Sequence, residues 1–132
     1  MVLLDTNAVL RFILKDVSKQ HKEITRFISS NPSAISLEVL IEVIFVLEKY
    51  YKKNRQEITH IASALGKTEN LLVQYPLVVS KALIFYLDDG LDIVDCILCA
   101  FNAVMGYEVF TFDKEMNAVL RRNKNEQIAG SR

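Results

Sequence analysis

Val2-Leu3-Leu4-Asp5-Thr6-Asn7 is the stretch that decides how this chain begins to fold. Three consecutive apolar residues ended by an acidic one predict a short buried strand that stops at Asp5. The polar pair Thr6-Asn7 then turns the chain into a helix, which we expect to continue to about Leu14. A strand followed directly by a helix is the pattern of an α/β protein.

The rest of the chain repeats this alternation. Ala34-Ile35-Ser36 and Leu71-Leu72-Val73 predict two more short strands, and Glu108 to Phe112 is the strongest strand signal because it is rich in β-forming residues. Strands that alternate with helices favour a parallel sheet covered by helices on both faces. The predicted helices run from about Thr6 to Leu14, Ser18 to Ser29, Ser36 to Lys52, Asn54 to Gly66, Val78 to Asp88, Asp92 to Gly106 and Lys114 to Arg122.

Length and composition favour one packed domain over residues 1–132. Hydrophobic residues make up 51% of the 132 residues against 24% charged, which is enough for a core and leaves apolar surface for a partner. The chain has no Ser-, Gly- or Pro-rich linker and no repeat. Residues 123–132 are polar, and we expect them to form a flexible tail.

Charge and hydropathy narrow the function further. Lys and Arg number 16, as do Asp and Glu, so the net charge of zero gives no global field that attracts a polyanion. Any contact with nucleic acid must therefore be local. The longest unbroken apolar run, residues 43–47, is too short to span a membrane, and Asp5 comes too early for a signal peptide, so we expect a cytoplasmic protein.

Four acidic residues interrupt or end apolar runs. Asp5 and Asp113 follow predicted strands, Glu42 lies inside an apolar helix, and Asp95 lies one turn into the helix that Asp92 begins. An ionised carboxylate in apolar surroundings is costly unless it is paired or bound to a cation. Ligands of parallel α/β sheets collect at the carboxyl edge of the strands, so we expect these side chains to converge on a divalent cation.

Each of these residues also has a purely structural interpretation. Asp5 and Asp113 can be turn residues after strands, and Asp92 with Asp95 can cap a helix. Glu42 fits neither role because it lies in mid-helix, whereas Glu38, one turn earlier, is expected to be exposed.

Other chemistries have weaker support. Cys96 and Cys99 form a C-x-x-C, but they lie one turn apart in an apolar helix, where cysteine behaves as a small buried hydrophobe. His21 and His60 lack the spacing of metal ligands, and neither lies in an acidic motif. The sequence also has no persuasive Ser/His/Asp or Cys/His set for nucleophilic catalysis.

Taken together and in this order, four segments resemble the PIN-domain family, and most closely its VapC-type toxins. The resemblance spans nearly the whole chain and implies a three-layer α/β/α fold with a short parallel central sheet. The segments are Leu3-Leu4-Asp5-Thr6-Asn7, Glu42 in its apolar helix, Gly90-Leu91-Asp92-Ile93-Val94-Asp95, and Val109-Phe110-Thr111-Phe112-Asp113-Lys114-Glu115. Members of the family often add a last strand, for which residues 123–132 give no signal.

The resemblance implies roles for individual residues. Asp5, Glu42, Asp95 and Asp113 hold Mg²⁺ or Mn²⁺ and form the catalytic set, with Asp92 and Glu115 as outer acidic residues. The side chains expected to orient ligands or water are Thr6, Asn7 and Thr111, and those expected to contact substrate phosphate are Arg11 and Lys114. For Arg121, Arg122 and Lys124 a solvated helix end is the favoured interpretation.

The function implied is metal-dependent endonucleolytic hydrolysis of RNA by a toxin. The same resemblance implies a homodimer held by an antitoxin protein. Two alternatives stay open: a non-catalytic domain of the same fold that binds a protein, and an aspartyl-type phosphotransferase or phosphatase. The second alternative usually needs another acidic residue two positions after Asp5, where this chain has Asn7.

Overall fold

A computed structural model describes residues 1–130 of the chain, in which strands alternate with helices. The strands are β1 (Val2–Leu3), β2 (Ser33–Ile35) and β3 (Leu71–Val73). The helices are α1 (Thr6–Leu14), α2 (Ser18–Ser30), α3 (Leu37–Lys49), α4 (Arg55–Gly66), α5 (Pro76–Asp88), α6 (Ile93–Met105) and α7 (Lys114–Gly130).

The three strands form one parallel sheet in the order β1-β2-β3. The central strand β2 is buried along its whole length, as expected for a short apolar strand flanked on both sides. The mixed α/β class and the short parallel sheet predicted from the sequence are thus confirmed. Because all three strands run in the same direction, their carboxyl ends share one edge of the sheet, where Asp5 and Ser36 begin the following helices.

The predicted strand from Glu108 to Phe112 is wrong. Residues 107–113 have no regular secondary structure, and the side chains of Phe110 and Phe112 are 87% and 91% exposed. The two rings meet edge to face, with their centroids 5.3 Å apart. The β-propensity of aromatic residues reflects packing on a pleated surface, and these two side chains have no such packing.

The chain divides into two compact units, Met1–Pro76 and Leu77–Arg132. In the first unit α1 packs on α2 and α3, and α4 contacts α3 and β3. In the second unit α6 packs on α7. The single domain over residues 1–132 stays a prediction.

None of the helices within residues 1–130 is both long enough and apolar enough to cross a membrane.

Capping residues set the helix starts of the first unit largely as the sequence predicts. Ser36 accepts from the backbone N–H of Val39 and begins α3. Asn54 and Glu57 form the predicted capping box of α4. Ser18, in contrast, is the first residue of α2 and not its cap, and α3 ends at Lys49 rather than Lys52.

In the second unit, α6 begins and ends where the sequence predicts. Asp92 is its N-cap, and Gly106 ends it with φ 73°, a left-handed conformation that glycine adopts without strain. Cys96 and Cys99 are fully buried, as predicted. Burial, followed by the negative charge of Asp95, raises the pKa of Cys99 to about 11, which keeps the thiol protonated at neutral pH and argues against a redox role.

Helix α7 is longer than the sequence predicts. It continues through Asn123 to Gly130, so the expected helix end at about Arg122 and the expected tail are wrong for residues 123–130, while Ser131 and Arg132 lie outside the described residues. Asn123 explains the difference, because its buried amide donates to the backbone oxygen of Cys99 and to Oδ1 of Asn102, each at 3.1 Å. Asn123, which the sequence assigns to the tail, thus anchors α7 to α6.

Arg122 anchors the same helix to the residue after α5. Its guanidinium donates two hydrogen bonds of 2.9 Å to the carboxylate of Asp89 and lies over the ring of Phe85. These hydrogen bonds, reinforced by the positive charge of Arg122, lower the pKa of Asp89.

We predict that Asn123→Ala lowers the free energy of unfolding by about 1–3 kcal/mol, since it deletes a buried amide that makes two hydrogen bonds. Asn125→Ala is the matched control: the same change two residues further along α7, at an exposed position, should alter stability by less than about 0.5 kcal/mol. Urea unfolding of both variants measures the difference. Equal stabilities would contradict an anchoring role for Asn123.

Candidate active site

The four acidic residues predicted as a site are less buried than the sequence indicates. Asp5, Glu42 and Asp113 are exposed, and Asp95 is half-buried. Asp5 and Asp113 emerge at helix starts, and Glu42 lies on the side of α3 away from its buried apolar residues. The cost of burying a lone charge therefore does not apply to Asp5, Glu42 and Asp113, and any argument for a shared site must rest on local geometry.

In the first unit, Thr6 connects the two predicted ligands. Its hydroxyl donates to Oε2 of Glu42 at 2.9 Å. Asp5, the preceding residue, is the N-cap of α1, and its Oδ1 accepts from the backbone N–H of Ala8 at 2.8 Å. The packing of α1 on α3 thus brings the Glu42 carboxylate to the residue next to Asp5, although the two are 37 positions apart.

A cavity of about 300 Å³ opens beside Asp5 and Asn7, and we call it the α1–α2 cavity. Arg11 also lines it, but its guanidinium already donates to Oδ1 of Asp16 at 2.8 Å, and its side chain is only 16% exposed. Contact of Arg11 with substrate phosphate stays a prediction, and Asp16 is already an anionic partner of its guanidinium.

The opposite wall of the α1–α2 cavity was not anticipated from the sequence. It comes from α2 and includes Gln20, Glu23 and Phe27. The signal available was the spacing of Ile24, Phe27 and Ile28 on one helix face, but that spacing predicts core packing for all three. Only Ile28 is buried, and Phe27 is 39% exposed.

In the second unit, three carboxylates influence one another. Burial raises the pKa of Asp95, and the negative charges of Asp92 and Asp113 raise it further. Asp92 accepts from the backbone N–H of Val94 at 3.1 Å and so begins α6, one turn before Asp95. The sequence-distant Asp113 is thus near enough to Asp95 for like-charge repulsion to be felt.

Asp113 is held by its own neighbours. Its Oδ1 accepts from the backbone N–H of Met116 at 2.8 Å, and its own backbone N–H donates to the Thr111 hydroxyl at 3.0 Å. Lys114 and Glu115 follow as exposed residues of the first turn of α7. Glu115 lines a cavity of about 290 Å³ with Asp89 and Arg122.

Three of the acidic residues therefore cap helices, whereas the structural interpretation of the sequence expected caps from Asp92 with Asp95 and turn residues at Asp5 and Asp113. Asp5, Asp92 and Asp113 each use one carboxylate oxygen as the cap. A capping carboxylate keeps a second oxygen, so this role and metal binding are compatible.

Metal binding can be tested against the donor chemistry. Within residues 1–130, no group of three or more His, Cys, Asp or Glu side chains is already arranged to hold a metal ion. The donors present near Asp5 and near Asp95 are carboxylate and hydroxyl oxygens, which suit Mg²⁺ or Mn²⁺. Repulsion among Asp92, Asp95 and Asp113 is the condition that a bound cation relieves. The residue types fit a hard divalent ion.

The protein is thus of the α/β class, with a parallel sheet and helices that begin at aspartates. Its candidate site consists of oxygen donors. Comparison with known families makes the assignment specific. The family model described as PIN domain matches residues 2–121, so the chain belongs to the PIN domain family. PIN domains are generally nucleases, and they typically use a divalent metal. No curated protein and no solved structure matches the chain.

We predict that Asp95→Asn raises the melting temperature of the metal-free protein at neutral pH. A carboxyl group whose pKa is raised in the fold destabilises the fold above that pKa, and the penalty fades as pH falls through it. The advantage of the variant should therefore shrink as pH is lowered toward about 4, the ordinary pKa of aspartate. Thermal scans in EDTA across this range measure it.

Magnesium supplies the control. Mg²⁺ should raise the melting temperature of the wild type by mass action, and that of Asp95→Asn by less. Since Asp92 and not Asp95 caps α6, the substitution removes no cap. A metal-free variant that melts well below the metal-free wild type would identify Asp95 as a stabilising residue and remove it from the metal site.

Proposed function

We propose that this protein is a metal-dependent endoribonuclease. The observation that carries the proposal is the hydrogen bond from Thr6 to Glu42, which holds a carboxylate of α3 next to Asp5 in a chain of the PIN domain family. Mid-helix, exposed Glu42 has no capping role, so a functional one is favoured. The nuclease class follows from the family, whereas RNA as the substrate and dependence on Mg²⁺ or Mn²⁺ are our proposal.

The proposed ligands and catalytic residues are the four carboxylates predicted from the sequence, two in each unit: Asp5, Glu42, Asp95 and Asp113. Asp92 and Glu115 are proposed as outer acidic residues. A bound divalent ion supplies a more acidic water and stabilises charge on the phosphodiester. Thr6 fixes the rotamer of Glu42, and Thr111 fixes the backbone of Asp113, so these hydroxyls keep the carboxylates oriented.

An activated water is the favoured nucleophile because the cysteines and histidines of the chain do not suit that role. Cys96 and Cys99 are fully buried and so inaccessible to a substrate, and the raised pKa of Cys99 keeps that thiol protonated. His21 and His60 line a separate cavity of about 520 Å³, together with apolar side chains such as Phe12. Asn7 lines the α1–α2 cavity, which supports its proposed role in orienting ligands or water.

We also propose that the protein is the toxin of a toxin–antitoxin pair, of the VapC type, and that it forms a homodimer. The resemblance in sequence supports the toxin role. Apolar side chains that remain exposed on α5 and α6 support protein contacts: Ile84, Leu87 and Leu98 are 50%, 42% and 40% exposed. The antitoxin is proposed to bind at the acidic site, and the cytoplasmic location stays a prediction.

Two alternatives have less support. A non-catalytic PIN domain that binds a protein is expected to have lost its acidic residues, whereas this chain retains all four. An aspartyl-type phosphotransferase needs a second acidic group close to Asp5 in sequence, and Asn7 stands there.

The proposed mechanism predicts that purified protein cleaves RNA with Mg²⁺ or Mn²⁺ and that excess EDTA stops cleavage. Gel analysis of a labelled transcript, with metal restored after chelation, measures it. Cleavage that is equal with and without chelator would exclude the metal mechanism.

We further predict that Glu42→Gln lowers the cleavage rate by more than about 100-fold, because loss of a direct ligand should cost more than loss of an outer residue. Glutamine can still accept from Thr6, so the fold is retained. Glu38→Gln is the matched control on the same helix and should change the rate only modestly, since Glu38 is an exposed residue of the first turn of α3. If Glu38 proved essential and Glu42 dispensable, the assignment on α3 would be reversed.

A further inference from the structure

Helix α2 carries a row of cations whose role the candidate site leaves unexplained. Lys19, Lys22 and Arg26 are exposed and follow one another at intervals of three and four residues, which places them on one face of the helix. Within residues 1–130 no ion pair engages any of the three. Three unpaired cations in a row on a protein of zero net charge form a local anion-binding surface.

A second cavity lies along this row. It has a volume of about 580 Å³, and Lys19, Lys22 and Arg26 line it together with Phe27 and Glu23. The last two side chains also line the α1–α2 cavity that contains Asp5 and Asn7. The surface is therefore continuous within the first unit, from the carboxylate of Asp5 past Phe27 to the cationic row.

From this continuity we infer that α2 binds single-stranded RNA and leads it to Asp5. Phosphates lie against Lys19, Lys22 and Arg26, and an unpaired base stacks on the exposed ring of Phe27. The inference rests on the proposed function and adds the surface along which a single-stranded segment approaches Asp5. A base in a duplex is already stacked on its neighbours, so an aromatic side chain selects for unpaired bases.

Dimensions and charge are consistent with this ligand. Seven helical positions separate Lys19 from Arg26, a rise of about 10 Å. A stacked strand advances ~3.4 Å along its axis for each phosphate, so the row spans the axial advance of about three nucleotides. Glu23 is the acidic side chain that lines the second cavity, and it also lines the α1–α2 cavity that contains Asp5. Its negative charge favours a path for the phosphates along the lysine side of the row.

The test measures binding separately from cleavage. Full-length protein is titrated in EDTA with a labelled single-stranded oligoribonucleotide at salt concentrations from about 50 to about 200 mM. Lys19→Glu/Lys22→Glu should make the slope of log K against log salt shallower by about 1.4, because each neutralised phosphate accounts for about 0.7 of the slope. The matched control is Arg121→Glu/Lys124→Glu, a pair with the same spacing on α7, which should leave the slope unchanged.

Substitution of Phe27 tests the stacking. Phe27→Ala should weaken binding of the single strand by at least about fivefold and binding of a duplex of the same sequence by less. Phe27→Tyr should restore binding. Circular dichroism melting of each variant shows whether it is folded. Only a folded variant with the expected change in binding supports the inference.

The outcomes separate the inference from the proposed function. RNA binding that depends on α2 without cleavage in Mg²⁺ supports the inference and contradicts the ribonuclease proposal. Cleavage with a salt slope that the α2 pair does not change overturns the inference alone, as does a greater effect of the α7 pair. Absence of RNA binding by the wild type also overturns it and would leave an acidic protein segment as the ligand of the cationic row.

Discussion

Hydrogen bonding between three parallel strands is the constraint on which the first unit depends. The register of β1 against β2 aligns Leu3 with Ala34, and the backbone N–H of Leu4 continues the pairing to the Ala34 oxygen at 3.0 Å. Asp5 and Ser36 then follow at the same edge, and each begins a helix. With α1 and α3 starting side by side, Thr6 can reach Glu42. The proposed site is thus a consequence of strand register.

The acidic residues combine two electrostatic roles. Asp5, Asp92 and Asp113 stabilise helix starts by accepting backbone N–H groups and by placing negative charge at the positive end of the helix dipole. The same placement brings Asp92 and Asp113 near Asp95, whose pKa is raised first by burial and then by their negative charges. A fold that begins several helices with aspartate accumulates repulsion that a cation can relieve. Asp5 and Asp113, which cap helices, are thus also two of the proposed metal ligands.

Helix α2 has a partly exposed aromatic residue where the sequence pattern predicts core packing. The spacing of Ile24, Phe27 and Ile28 is typical of an apolar helix face, yet Phe27 is partly exposed between two cavities. The cations on the adjoining face look like an ordinary solvated surface until it is known that their cavity shares Glu23 and Phe27 with the cavity of Asp5. The role proposed for this region depends on what neighbours the helix.

The sequence by itself determined the local features of this protein: three short strands, the start of most helices, the buried cysteines and the family. These follow from apolar runs, helix caps and propensities that act over a few residues. Tertiary structure decided the rest. It left residues 107–113 without regular structure, extended α7 to Gly130 through the buried amide of Asn123, exposed the predicted ligands and joined Thr6 to Glu42. Burial and long-range contacts depend on residues far away in the chain, and no local pattern encodes which of them will meet.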